Sequence, residues 1–215
     1  MTPAADGFWQ TLDEGIRSMA RARIDIAPTD VCEKHPPSNE VTSSLFAMLG
    51  ESALDMLQSC GVSAARRVAD EAKIADGTCL ASFIGFTGAR LRGCLTVVGP
   101  RAVFLRTHPS RDMETPISEA DIADWCCEFA NQLLGRFKNK LLRRLVDIDL
   151  STPRGIHADR LRLESNSGAM VFVAVYDVEG RELLISLDVT ADEGLTLGDC
   201  APEGDTADEG DLLLL

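Results

Sequence analysis

The sequence predicts an α+β fold in which long helices pack on a largely antiparallel sheet. Apolar residues recur at helical spacing over residues 39–60 and again over 117–145. Strand-like runs rich in apolar residues lie between these two helices and after the second one, and glycines separate neighbouring runs. An order of helix, hairpin, long helix and strands is typical of the α+β class.

The first predicted helix covers residues 39–60, and Gly61 is placed to end it. Its apolar positions are Leu45, Phe46, Met48, Leu49, Leu54, Met56 and Leu57. Two strand-like runs, LASFIGFTG and ARLRGCLTVV, follow with Gly88 between them, and they predict an antiparallel hairpin. Within these strands, Gly85 and Gly93 indicate a bulge or the close approach of another backbone.

A short helical segment over Ala102–Arg106 leads through a polar loop to the long helix. We expect that helix to begin at Ser118, because Asp121 three residues on completes a pattern that resembles a capping box, with Ile117 before the cap. Three more strand-like runs follow, RLRLES, AMVFVAVYDV and RELLISLDV. The pair Glu179-Gly180 is a turn signal between the last two.

The chain has 215 residues, enough for one domain of ordinary size with an extension at each end. Residues 1–38 are predicted to be an N-terminal extension and linker, because a helical pattern over 5–24 is followed by a proline-rich stretch. That helix either docks elsewhere or folds back on the core, and the sequence leaves both open. The domain itself spans 39–191. Residues 192–215 carry eight acidic residues and no basic one, and are predicted to be a disordered tail.

Composition argues against several classes of function. A formal net charge of −13 disfavours nucleic acid and anionic membranes as partners. No apolar run approaches the roughly 18 residues of a membrane span, and the N-terminus does not have the pattern of a signal peptide. The seven cysteines show no CxxC spacing and the three histidines are far apart, so a disulfide framework, a metal site or a histidine-based triad has little support. A reducing cytoplasm is the simplest setting.

Four residues of the long helix share one face: Asp124, Glu128, Asn131 and Gly135. At 100° per residue they fall within a band roughly 60° wide, which we call the strip. The apolar residues Ile122, Trp125, Cys126, Phe129, Leu133, Phe137 and Leu141 fall on the other side. Polar residues on such a face are usually only solvated, and spacing alone favours that interpretation. The side-by-side carboxylate and carboxamide suggest instead a surface that reaches into a partner.

The strip resembles a known signature. The run Asp124-x-x-x-Glu128-x-x-Asn131, followed 22 positions later by Pro153, is similar to the signature of the CheC/CheX/FliY chemotaxis phosphatases. The hairpin from Ile84 to Val98 also resembles the glycine-containing strand pair of CheX-type domains. The resemblance covers about residues 40–190, and its single motif copy is similar to the CheX type. The N-terminal extension, the acidic tail, Cys126-Cys127 and Arg136 depart from the family pattern.

The resemblance implies a phosphatase that acts on a phosphorylated, CheY-like response regulator. It assigns Asn131 to positioning the attacking water and Glu128 to docking on the regulator. Asp124 and Gly135 are the candidate partner-binding residues: Gly135 would allow close backbone approach, and Asp124 fits either helix-surface solubility or a contact at the rim of the interface. It implies no cofactor of the chain's own, since the regulator supplies Mg²⁺, and a homodimer formed by sheet pairing. Pro153 is assigned a structural role before the next strand. The alternatives are a non-catalytic binding module for a response regulator or a signalling partner, and a relative of flagellar switch proteins.

Other residues near the strip have simpler explanations. Basic residues occupy the last turns of the long helix: Arg136, Lys138, Lys140, Arg143 and Arg144. Favourable interaction with the helix C-terminus is the preferred explanation, and contact with an acidic regulator surface is the alternative. The cysteines are expected to be small apolar fillers. Cys127, nearer the exposed side, is the one to test for reactivity.

Overall fold

A computed structural model describes residues 39–62, 64–67, 78–159, 161, 169–192 and 194–198. The predicted helix over 5–24, its linker, most of the predicted strand RLRLES and residues 199–215 lie outside the described residues. The described helices are α1 (Asn39–Ser59), α2 (Arg101–Thr107) and α3 (Glu119–Leu142). The strands are β1 (Ala64–Arg67), β2 (Cys79–Gly88), β3 (Leu91–Pro100), β4 (Ile148–Leu150), β5 (Arg154–Ala158), β6 (Met170–Val178) and β7 (Arg181–Ala191).

The strands of the described residues form one sheet in the order β1-β6-β7-β3-β2. At its far edge, β4 pairs with the end of β2 and β5 pairs with its beginning. Every one of these pairings is antiparallel. The predicted α+β class with an antiparallel sheet is therefore confirmed, while β4 and β5 add an edge that the sequence did not predict.

Both predicted hairpins are present. In the first, β2 and β3 pair along their length, with Ile84 opposite Leu95. Gly93 of β3 is closely approached, because a Cβ there would clash with the carbonyl of Asp188 on β7. In the second, Glu179 (φ 52°) and Gly180 (φ 82°) form the two-residue turn between β6 and β7. Positive φ at both turn positions matches the right-handed twist of the flanking strands.

The helices cover one face of the sheet and bury a continuous apolar core against it. Helix α1 contributes Leu45, Leu49, Ala53, Met56 and Leu57 to that core. Leu54 was expected on the same face but is 41% exposed. The reason is geometric, since nine residues at 100° each place Leu54 about 180° around the helix from Leu45. Gly61 has φ 66° and ends α1 as predicted.

Both ends of α3 are fixed by hydrogen bonds. At the start, the backbone N–H of Asp121 donates to Ser118 Oγ, and the N–H of Ser118 donates to Asp121 Oδ2, which completes the predicted capping box. At the end, α3 stops at Leu142, three residues before the end of the predicted run. Leu145 takes a left-handed conformation (φ 61°), and the next N–H, of Val146, donates to the carbonyl of Leu141 at 3.0 Å. This C-terminal turn closes the helix in place of a glycine.

Candidate functional site

The four strip residues lie together on the outer face of α3, as the helical spacing predicts. Asp124 and Glu128 are exposed, and Asn131 and Gly135 are partly exposed. The apolar residues predicted for the opposite side are all buried. The roles that the resemblance assigns to these residues remain predictions.

Glu128 is the centre of a small hydrogen-bond group on the strip. Asn131 Nδ2 donates to one carboxylate oxygen of Glu128 at 3.4 Å, and Gln132 Nε2 donates to the other at 2.9 Å. The first bond is long, so it holds Asn131 only weakly, and the amide keeps a second N–H and a carbonyl oxygen for a ligand. Gln132 was missed in the sequence analysis. Its position four residues after Glu128 was the signal that could have identified it.

Buried contacts fix the rotation of α3 about its own axis. Trp125 Nε1 donates to Thr107 Oγ1 of α2 at 3.0 Å, and both side chains are buried. The rings of Trp125 and Phe129 meet edge to face at 6.2 Å, and Phe129 meets Phe104 of α2 in the same way at 6.3 Å. Because the inner face is held at these points, the strip is presented outward in one orientation.

The adjacent cysteines lie on the sheet side of α3. Cys126 is buried, and burial is the main reason that the pKa of its thiol is raised. Cys127 is half-buried, and its Sγ lies 2.8 Å from where a Cβ on Gly155 of β5 would stand. Strand β5 therefore passes directly behind the helix, at a distance that glycine permits. Cys126 behaves as the apolar filler that the sequence predicted.

Pro153 is the residue directly before β5. Two residues earlier, Ser151 is tied to β2, because its N–H donates to the carbonyl of Gly85 at 2.8 Å and its Oγ accepts from the N–H of Gly85 at 2.9 Å. This pair bridges the gap between β4 and β5 along the edge of β2. The expected structural role of Pro153, setting the chain into a strand behind the helix, agrees with this position.

A cleft of about 570 Å³ lies beside the N-terminal half of the strip. The loop before α3 forms one wall, where the side chain of Met113 is 69% exposed. The other wall carries three carboxylates, on Asp121, Asp124 and Glu128. The sequence indicates only that this loop is polar, because nothing in its composition shows that it folds back towards the strip. On the loop side the cleft is lined by Pro109, Met113, Pro116 and Ile117 together with polar residues, and on the helix side it is acidic.

A second cleft, of about 440 Å³, lies beside the C-terminal half of the strip, and Gly135 is part of its lining. Among the described residues, no atom outside the helix's own neighbouring backbone lies within 4 Å of where a Cβ on Gly135 would stand. We call this cleft the Gly135 notch. Its lining residues are Asn131, Gln132, Gly135, Arg136, Lys138, Asn139 and Leu150. Except for Gly135 and Leu150, every one of them has a side chain that can donate hydrogen bonds, so the notch suits an anionic group.

The basic residues of the last turns mostly contact neighbouring elements. Lys140 reaches Glu51 and Asp55 of α1, each at 3.3 Å. Arg136 Nη2 donates to Ser59 Oγ at 3.2 Å, at the end of α1. These contacts join α3 to α1 and account for part of the basic cluster without any partner.

Arg144 and Lys138 contact segments after the helix. Arg144 Nη1 donates to the carbonyl of Gly198 at 3.2 Å, and the N–H of Gly198 donates back to the carbonyl of Arg144 at 3.0 Å. Lys138 lies 3.4 Å from Asp147, which precedes β4. Among the described residues, no helix is long and apolar enough to cross a membrane, and no group of three or more His, Cys, Asp or Glu side chains could hold a metal ion.

Comparison with known proteins places this chain beside the chemotaxis proteins. Residues 80–176 match the family described as Chemotaxis phosphatase CheX. The match runs from β2 into β6 and contains all of α3, so the resemblance seen in the sequence is confirmed where the strip lies. No curated protein is similar enough to count as a relative.

Solved structures show the same fold. CheX from Vibrio vulnificus is 17% identical, with a TM-score of 0.59, and the match covers 68% of this chain and 96% of that one. A CheC-like superfamily protein from Shewanella sp. PV-4 is 18% identical, with a TM-score of 0.57 and coverage of 68% and 97%. CheX from Desulfovibrio desulfuricans is 14% identical, with a TM-score of 0.55 and coverage of 68% and 99%. At these identities the likeness shows the fold.

Proposed function

We propose that this chain, whose residues 80–176 match the CheX family, is a phosphatase that stimulates dephosphorylation of an aspartyl phosphate on a CheY-like response regulator. One observation carries the proposal. The carboxylate of Glu128 and the amide of Asn131 stand side by side on an exposed helix face, within the segment that matches the family.

The chemistry needs little from an outside protein beyond positioning. In an aspartyl phosphate, phosphorus is bonded to a carboxylate oxygen. Hydrolysis forms a bond from water to phosphorus and breaks the bond from phosphorus to that oxygen, which gives free aspartate and inorganic phosphate. The water must be held in line with the breaking bond. Asn131 can hold it through its carbonyl oxygen or an N–H, and adds no negative charge beside the phosphoryl group.

Glu128 fixes the helix over the reacting group. We assign its carboxylate to an ion pair with a lysine at the regulator's phosphorylation site, as the resemblance implies. The hydrogen bond from Gln132 at 2.9 Å restricts the rotamers of Glu128, so less side-chain freedom is lost on docking. We place the Mg²⁺ ion in the regulator, where it neutralises phosphoryl charge. This chain then supplies the amide that positions the water, and the carboxylate that aligns the helix with the phosphorylation site.

Asp124 and Gly135 complete the docking face. Asp124 lies one turn before Glu128 and extends its negative charge along the strip. Gly135 lies one turn beyond Asn131, and the open space at its Cβ lets a partner backbone come close to the helix. The homodimer and the cytoplasmic setting stay predictions from the sequence.

The test is the decay of a phosphorylated CheY-like regulator from the same cell, with and without this protein. We expect the native chain to accelerate decay and Asn131→Ala to return it to the spontaneous rate, because the water is no longer held. Asn131→Asp is the isosteric variant. It should also fail, since it places a negative charge beside the phosphoryl group.

Gln58→Ala is the matched control. Gln58 is an exposed amide on α1, outside the strip and both clefts, so this variant should leave the acceleration unchanged. Circular dichroism and thermal unfolding would verify that each variant is folded. An Asn131→Ala protein that accelerates decay as well as the native chain would rule out the assigned role. Binding by the native chain without acceleration would support the non-catalytic binding module instead.

A further inference from the structure

The outer face of α3 carries opposite charges at its two ends. In its N-terminal half, Asp121, Asp124 and Glu128 line one cleft. In its C-terminal half, Lys138 lines the Gly135 notch. Lys138 follows Asn131 by seven residues, which places it about 20° away around the helix and about 10 Å further along the axis. Lys138 therefore continues the strip, and charge along it changes from negative to positive across Asn131.

The side chains that line the notch are mostly hydrogen-bond donors, which suit a negatively charged ligand. Asn131, Gln132 and Asn139 offer amide N–H groups, and Arg136 and Lys138 offer charged donors. No carboxylate is among the lining residues of the notch, whereas three line the other cleft. A negatively charged group of a partner therefore suits the notch, and a positively charged group suits the acidic cleft at the N-terminal end of the strip.

Lys138 and Lys140 lie on the same helix but in different surroundings. Lys140 is held by two carboxylates of α1 and is not among the residues of the notch. Lys138 has a pair with Asp147 at 3.4 Å, and the side chain of Asp147 is 71% exposed. The side chain of Lys138 is itself 27% exposed, but its ion-pair partner among the described residues is this solvent-exposed carboxylate, and a pair that is open to water on one side adds little to stability. The ammonium of Lys138 can therefore exchange Asp147 for a group on a partner.

We infer that the strip binds its partner in one direction, with the anionic phosphoryl group over the Gly135 notch within reach of Lys138, and the cationic side of the phosphorylation site over Asp124 and Glu128. This inference rests on the proposed function for the identity of the partner. It makes Lys138 a positioning residue that gives the strip its preference for the phosphorylated form.

The test compares two affinities, for the regulator alone and for the regulator with beryllium trifluoride and Mg²⁺, which imitates the phosphorylated state. We expect the native chain to prefer the activated form. Lys138→Gln should reduce that preference about fivefold at low salt, and the difference should shrink at higher salt, because salt screens the attraction between charges near the surface. Lys140→Gln removes the same charge from the same helix and should leave the preference unchanged. Lys138→Arg should restore it.

Each result is decisive. Any of three results would overturn the inference. Lys138→Gln could prefer the activated form as strongly as the native chain does, Lys140→Gln could lose as much of that preference as Lys138→Gln, or the native chain could bind both forms with the same affinity. Because the readout is binding, it is separate from the decay assay. A native chain that prefers the activated form through Lys138 but does not accelerate decay would contradict the phosphatase proposal and leave the inference in place.

Discussion

Gly135→Ala should have opposite effects on stability and on activity, because the fold gains from alanine at this position while the site needs the open space. Glycine in a helix interior is less favourable than alanine by about 0.5–1 kcal/mol, because glycine loses more backbone freedom on folding. At Gly135, no atom of the part of the chain that the structure describes lies within 4 Å to oppose the added methyl group. The folded state should therefore gain about 0.5–1 kcal/mol. For a domain of this size, that raises the melting temperature by roughly 1–4 °C.

The same methyl group projects into the notch that a docked partner would enter, at the point where the partner comes closest to the helix. A displacement of about 1 Å at the reacting centre can cost up to about 100-fold in rate, so we expect the stimulated decay to fall by about 10- to 100-fold. The assay pairs urea unfolding with regulator dephosphorylation on the same preparation. Ala47→Gly, on the exposed side of α1, reverses the chemical change away from the site and should lower stability without altering the rate.

The expected signature is a more stable protein that is a poorer phosphatase. A stabilised Gly135→Ala protein with undiminished stimulation would refute the idea that the partner comes close at this position. A destabilised Gly135→Ala protein would show that other atoms occupy the space beside Gly135, where the structure leaves room for the methyl group.

Two further predictions concern the scaffold. Gly93→Ala should destabilise the protein by about 1–3 kcal/mol in urea unfolding, because its Cβ would clash with the carbonyl of Asp188 and the ring of Phe86; wild-type stability in this variant would contradict the close approach. The pKa of Asp121 is lowered below its ordinary 3.8, chiefly by hydrogen bonds from the side chain and then the backbone of Ser118. A lowered folded-state pKa means that the carboxylate stabilises the fold above about pH 4 and that this contribution is lost as the pH falls through the folded value. The stability difference between the native chain and Asp121→Ala should therefore be present at neutral pH and shrink below pH 3.8; a difference that stays constant with pH would count against the capping carboxylate.

Local patterns were enough to predict several elements. Helix α3 was identified from its apolar spacing, and its start from Ser118 and Asp121, because a helix and its cap are set by residues within one or two turns of each other. The turn at Glu179-Gly180 was likewise visible. The strip followed from the same periodicity, so helical spacing alone grouped its four residues correctly.

Contacts between distant segments were not visible in the sequence. Strand β4 alternates Ile148, Asp149 and Leu150 over only three residues, too few to be recognised as a strand, and four of the five residues of β5 are exposed. Each exists because its backbone completes the hydrogen bonding of β2, whose paired residues lie 60 or more positions earlier. Leu54 was assigned to the core from its residue type, whereas its angle on the helix decides its exposure.

By itself, the sequence determined that α3 is an amphipathic helix with a carboxylate, an amide and a glycine on its outer face, because helical period and side-chain chemistry are local properties. Only the tertiary structure decided what surrounds that face. The loop carrying Met113 makes an acidic and apolar cleft on one side, and the empty space at Gly135 makes a donor-lined notch on the other. Both depend on how the loop and β4 pack beside the helix, which no spacing within α3 encodes.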